Sequence, residues 1–226
     1  MEVISINNTK NETIMKKLFL MLMAVTMMLP MANAQELTKQ QAKAVKKEVS
    51  KKVKEYKKKG YEIFGTTMTL ETKLTQHYTK LWAKEGLVVE IPGFSQAKSR
   101  NLALTAAQNS AANRYATSAG QLVKGRVLAD MALNSADNKA EFDKFYAAFE
   151  GKVQQEIKGE LRPSFTVAKP NDDGTISVEA YYLVDEDAAT RARIRAFELS
   201  KEESAAAQKY AQKISDFVNE RVVPEQ

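Results

Sequence analysis

The sequence predicts an α+β fold: a small antiparallel or mixed sheet packed by long helices, with helical extensions at both ends. Three observations carry this. Long stretches with apolar residues at helical spacing alternate with short β-rich runs. Two alternating segments late in the chain flank Pro170-Asn171-Asp172-Asp173-Gly174, a turn sequence suited to a hairpin. No fixed-period repeat and no low-complexity linker divides the chain.

Residues 36–59 read as a helix with a narrow apolar stripe at Val45, Val49, Val53 and Tyr56, an N-cap at Thr38 and a stop at Gly60. Residues 61–64 alternate weakly and read as a short strand. Residues 69–85 form a helix with Leu70, Leu74, Tyr78, Leu81 and Trp82 on one face, stopped by Gly86. Residues 87–91 are a β-rich run that Pro92-Gly93 ends. Ser99 then caps a long alanine-rich helix to about residue 118, which Gly120 closes. Residues 121–131 read as a strand with Gly125 as a bulge, with a helix as the alternative. A polar loop at 132–138 leads to an amphipathic helix at 140–158, with Phe142, Phe145, Tyr146, Phe149, Val153 and Ile157 inward. Residues 161–167 and 175–184 pair as the hairpin. Asp185 and Asp187 open a helix at 188–199. This continues, or restarts, into 202–221 with an inner face of Ala206, Tyr210, Ile214 and Phe217.

The chain begins with the three parts of a secretory signal at residues 15–34. Lys16 and Lys17 are the positive region, 18–29 the apolar run, and Ala32-Asn33-Ala34 the small residues read at cleavage. The apolar run is shorter than the ~20 residues a spanning helix needs. Residues 1–14 fit no part of a signal; they precede a true start at Met15 or form a long n-region. The expected organisation is extension and signal at 1–34, basic helix at 35–59, α+β domain at 60–199 and C-terminal helix at 200–226. The chain has no cysteine. That excludes disulfides and a lipid anchor of the bacterial lipoprotein type, so the exported protein relies on its core alone.

The overall charge of +6 hides a division. Residues 36–59 carry ten lysines. Residues 60–226 carry 21 Lys and Arg against 23 Asp and Glu, a net of −2. A mildly acidic body excludes a nucleic-acid surface there. Lys43, Lys46, Lys47, Lys51, Lys54 and Lys58 are the candidate contact with an anionic surface such as lipid headgroups or lipopolysaccharide phosphates. The competing reading has the helix simply packing its valines on the body. Tyr210, Ile214 and Phe217 are the candidate face for a partner helix or a second copy of the chain.

The order of elements carries a resemblance. A strand is followed by the alanine-rich helix ending in Ala111-Ala112-Asn113-Arg114-Tyr115-Ala116-Thr117-Ser118-Ala119-Gly120. Val123-Lys124-Gly125-Arg126-Val127, a second helix and a late hairpin with Val178 and Tyr181-Tyr182 come after it. Over about residues 87–184 this resembles the small bacterial envelope lipoproteins typified by a Helicobacter membrane-associated lipoprotein. That family is related to the N-terminal domain of the flagellar protein FlgT. The resemblance implies a compact, non-catalytic α+β domain in the cell envelope. The absent lipid-bearing cysteine and the two added helices depart from it.

Catalytic chemistry finds little footing. His77 is the one histidine, so a zinc or copper site lacks ligands and a Ser-His-Asp triad has a single base to use, without a Gly-x-Ser-x-Gly elbow. His77 is read as structural. Asp172-Asp173 suit a turn, and Asp185, Glu186 and Asp187 suit a helix start. No metal or other cofactor is expected. The expected protein is an exported, periplasmic or outer-membrane-associated, non-catalytic one, without a transmembrane segment in the mature chain. It binds an envelope protein or an anionic envelope surface. The alternatives are a peptidoglycan- or polysaccharide-acting hydrolase with a carboxylate pair, and a small-ligand carrier with a sizeable apolar cavity between sheet and helices.

Overall fold

Helix α1, Lys39–Lys58, starts where the sequence places it. Thr38 accepts from the Gln41 N–H at 3.2 Å while the Gln41 side chain accepts from the Thr38 N–H at 2.9 Å, a reciprocal cap. It ends at Gly60, whose φ of +76° suits a residue without a Cβ. The chain is described by a computed structural model over residues 37–84, 86–130 and 136–222. The predicted secretory signal lies outside these residues.

The other elements are β1 (Glu62–Ile63), α2 (Leu70–Ala83), β2 (Val88–Ala97), α3 (Arg100–Asp130) and α4 (Ala136–Lys158). Then come β3 (Arg162–Pro170), β4 (Ile176–Asp185), α5 (Glu186–Ser200), a 3-10 turn at Lys201–Glu203, α6 (Ala205–Lys209) and α7 (Ala211–Val218). The four strands form one antiparallel sheet in the order β1-β3-β4-β2. The described residues belong to one compact unit: α1 packs on the sheet, and α6 and α7 pack on the helices α3, α4 and α5.

Strand alternation divides the core in two. Val89, Ile91, Val178, Ala180, Tyr182 and Val184 face the layer of α3, α4 and α5. Phe165, Val167 and Tyr181 face the opposite side, where Val45, Val49 and Tyr56 of α1 and Leu74 of α2 close a smaller core. The molecule is therefore a helix pair, a sheet and a helix bundle in three layers.

The structure corrects three readings. Strand β2 runs through Pro92-Gly93. The Leu87 carbonyl accepts from the Glu186 N–H at 2.8 Å, so by alternation Val89, Ile91 and Gly93 bond to β4 and Pro92 turns its missing donor to the outer edge. A Cβ on Gly93 would overlap the Ala107 carbonyl oxygen and sit 3.0 Å from the Ala111 Cβ. Gly93 is there because α3 approaches the strand closely, and the alanines of α3 permit that approach.

Residues 121–130 are helix, and Gly120 does not end α3. Tyr115, Ala119, Val123 and Val127 recur every four residues and are all fully buried, so the stripe continues as one helix. Gly120 instead makes room for α4, because a Cβ there would overlap the Glu150 side chain. Of the predicted 132–138 loop, residues 132–135 lie outside the described residues, and residues 136–138 already belong to α4. The long C-terminal helix is broken. Ser204 adopts extended φ/ψ of −149°/121° and caps α6 by accepting from the Ala207 N–H at 3.1 Å. A second break falls at Tyr210. The hairpin forms where predicted, except that β3 runs on through Pro170, which pairs with Ile176 and leaves the turn to the residues after it; Gly174 has φ +75° and Asp173 accepts from the Thr175 N–H at 3.0 Å.

Candidate functional site

The valine stripe of α1 is turned inward, which fixes where its lysines go. Val45, Val49 and Tyr56 are buried, and Lys43, Lys46, Lys47, Lys51, Lys54 and Lys58 are exposed. Lys43, Lys46, Lys47, Lys51 and Lys54 flank one shallow groove over Ser50. The acidic residues of α1 sit off that groove. Glu55 pairs with Lys59 at 2.7 Å and with Lys52 at 3.4 Å, and the hydrogen bond from Lys59 holds its carboxyl below the ordinary range. Glu48 reaches Lys51 only at 4.0 Å. Lys43, Lys46, Lys47, Lys54 and Lys58 form no ion pair among the described residues, so the face keeps its positive potential.

Tyr210, Ile214 and Phe217 do not form a partner face. Ile214 and Phe217 are buried in the protein's own core, and the Tyr210 ring stacks on Phe142 at 6.2 Å. A helical stripe reports that one side is buried; it carries no information on whether the cover is internal or a second chain.

Beside α1 lies a partly open cleft of about 640 Å³ between the helix pair and the sheet. Phe165 of β3, Tyr181 of β4 and Tyr56 of α1 supply aromatic surface. Phe165 and Tyr181 stack at 4.4 Å with an interplanar angle of 8°. Tyr78 and Leu81 come from α2, and Glu90, Pro92 and Phe94 from β2. Glu48, Lys51, Lys52 and Arg221 bring charge of both signs. Lys51 belongs both to this cleft and to the lysine groove. The Tyr56 and Tyr181 hydroxyls are 3.0 Å apart, and both lie near Glu179 Oε2, at 3.2 and 3.3 Å. Burial raises the pKa of Tyr56, Tyr78 and Tyr181; neighbouring carboxylates, Glu179 for Tyr56 and Glu90 for Tyr78, add to it. All three stay neutral donors with electron-rich faces.

His77 is buried on α2, 1% exposed. Its Nδ1 lies 2.9 Å from Ser164 Oγ, and its Nε2 contacts Glu90 Oε2 closely. The ring thereby bridges the two side chains, Nε2 on the Glu90 carboxyl group and Nδ1 on the Ser164 hydroxyl. Ser164 sits where the β3–β4 register shifts, between Pro163 and Phe165, and it does not line the cleft. The trio therefore ties α2 to β2 and β3 and points Glu90 at the cleft. Glu90 and Ser164 were not candidates from sequence. The one available signal was a carboxylate inside the apolar run Val88-Val89-Glu90-Ile91.

The acidic groups are taken up locally. Asp173 is held below its ordinary pKa, first by the Thr175 hydroxyl and then by its N–H. Asp185 pairs with Lys84 at 3.6 Å and Glu186 with Arg193 at 3.1 Å. The two clusters lie at opposite ends of β4, roughly 30 Å apart for a ten-residue strand. Paired glycosidase carboxylates stand within about 10 Å. Among the described residues no group of three or more His, Cys, Asp or Glu is placed to hold a metal ion, and no helix is long and apolar enough to cross a membrane. No protein family, curated protein or solved structure matches the chain.

Proposed function

We propose that this is an exported, non-catalytic cell-envelope protein that docks peripherally on an anionic envelope surface through the lysine face of α1. The observation that carries the reading is the orientation of α1: its apolar stripe is held against the sheet while six lysines face outward. Because Val45, Val49 and Tyr56 are committed to the core, the contact is electrostatic and does not insert the helix among acyl chains. Kinship with the small envelope lipoproteins is proposed with it, on the order of helices and strands.

Vesicle sedimentation tests the docking. Protein is expected to pellet with vesicles containing phosphatidylglycerol, to release as salt rises, and to stay free with phosphatidylcholine alone. Replacing Lys43, Lys47 and Lys54 by Gln is expected to weaken binding on the order of a hundredfold. Salt-independent binding, or binding untouched by the triple replacement, would refute the reading.

A further inference from the structure

We infer that the cleft between the α1–α2 pair and the sheet is a binding site for a zwitterionic headgroup, a primary ammonium joined to a phosphate. The inference rests on the docking reading for the origin of the ligand, since Lys51 is shared by the docking groove and the cleft. A lipid in the docked surface thereby presents its headgroup at the cleft mouth.

The charges of the cleft are arranged in depth. Glu90 is mostly buried, its side chain 23% exposed, and one of its oxygens is held by His77. The carboxylate is thus oriented before any ligand arrives, and its other oxygen is left to accept from an ammonium. Around it stand Tyr78 and Tyr181, aromatic rings whose faces attract a cation. Of the cations, Lys51 is 72% exposed and Arg221 is exposed, while Lys52 is 31% exposed and turned to Glu55 at 3.4 Å; Glu48, at 38%, reaches Lys51 only at 4.0 Å. An ammonium at Glu90 with an anion toward Lys51 and Arg221 satisfies both signs. A purely anionic ligand would press against Glu90, and a purely cationic one against the rim. The volume of about 640 Å³ falls in the range of small-molecule sites.

Titration with glycerophosphoethanolamine tests the site, read by chemical-shift changes of the tyrosine rings and by calorimetry. Saturable binding is expected, absent with glycerophosphoglycerol, which lacks the ammonium. Glu90→Gln keeps a hydrogen-bonding partner for His77 and is expected to weaken binding about tenfold or more. Arg221→Gln, at an exposed position, weakens it independently should the first variant fold poorly. Short-chain dihexanoyl phosphatidylethanolamine separates the sources: tighter binding than the free headgroup assigns the ligand to a lipid, and equal binding to a soluble phosphoamine. Failure of both zwitterions to saturate, with vesicle sedimentation intact, overturns the cleft site and leaves docking standing. Equal binding of glycerophosphoglycerol overturns the ammonium assignment. Headgroup binding without vesicle docking overturns the docking reading and the lipid origin.

Discussion

Arg193 is the side chain whose loss the structure predicts most sharply. It is fully buried and the largest such side chain among the described residues. Its Nε donates to the Val218 carbonyl at 2.9 Å, and Nη2 to the Glu220 carbonyl at 2.8 Å. Nη2 also reaches Thr190 Oγ1 at 2.9 Å and Glu186 Oε1 at 3.1 Å, while Nη1 donates to the Tyr115 hydroxyl. One guanidinium thus joins α3, α5 and the chain end after α7. Tyr115 is pushed up to about 12 by its burial, an effect the nearby Arg193 partly offsets, so it accepts from Arg193 as a neutral phenol. Arg193→Met keeps much of the apolar volume and removes every donor. It leaves two main-chain carbonyls without their partner and the Glu186 carboxylate without its countercharge, with only the Thr190 hydroxyl still donating to Oε1 at 3.3 Å and Oε2 already buried without a partner. Breaking a buried pair from one side costs about 3–5 kcal/mol, a large share of the roughly 5–15 kcal/mol that holds a domain. Equilibrium urea unfolding at neutral pH, followed by circular dichroism, is the assay. Adding Glu186→Gln is expected to recover part of the loss, because the stranded charge is gone. A single-variant loss below about 1 kcal/mol, or strict additivity in the double variant, would refute the reasoning.

Two further outcomes follow from the packing. Gly93→Ala is expected to destabilise by about 1–3 kcal/mol, since the new Cβ meets main chain of α3 and not a movable side-chain end; an unchanged urea midpoint would show that α3 can shift away. Raising the pH should leave most of the eight tyrosines silent just above about pH 10, where a free phenol ionises. Burial raises the folded pKa of Tyr56, Tyr78, Tyr146 and Tyr181, so their contribution to stability is complete below about pH 10 and declines as the pH climbs toward the raised values. Absorbance of tyrosinate is expected to rise late and together with unfolding; an early rise for most rings would contradict the burial.

Local chemistry was legible wherever a side chain acts on its own backbone. The Thr38 cap, the stop at Gly60 and the Asp173-Gly174 turn were all readable, because each satisfies groups within four residues; the return bond from Gln41 and the Thr69 cap were not read. Pro92-Gly93 misled because its meaning depends on the sheet: a proline ends a central strand but is tolerated at an edge, and β2 is an edge strand only because β4 pairs with β3 on its other side. Gly120 misled in the same way, since the α4 side chain that excludes a Cβ there comes from thirty residues on. The lysine face was legible as a count and a spacing. The cleft was not, because Tyr56, Glu90 and Tyr181 meet only after three elements far apart in the chain have packed.

By itself the sequence determined the α+β class, the hairpin, the capped basic helix and the division between a lysine-rich segment and a mildly acidic body. Each of these depends on propensity, period or composition, which act over a few residues. Tertiary structure alone decided that the stripe of α7 belongs to the internal core, that α3 runs unbroken past Gly120, and that Glu90 is held by His77 toward a tyrosine-walled cleft. Those outcomes depend on which surfaces meet, and burial is set by partners that no local pattern names.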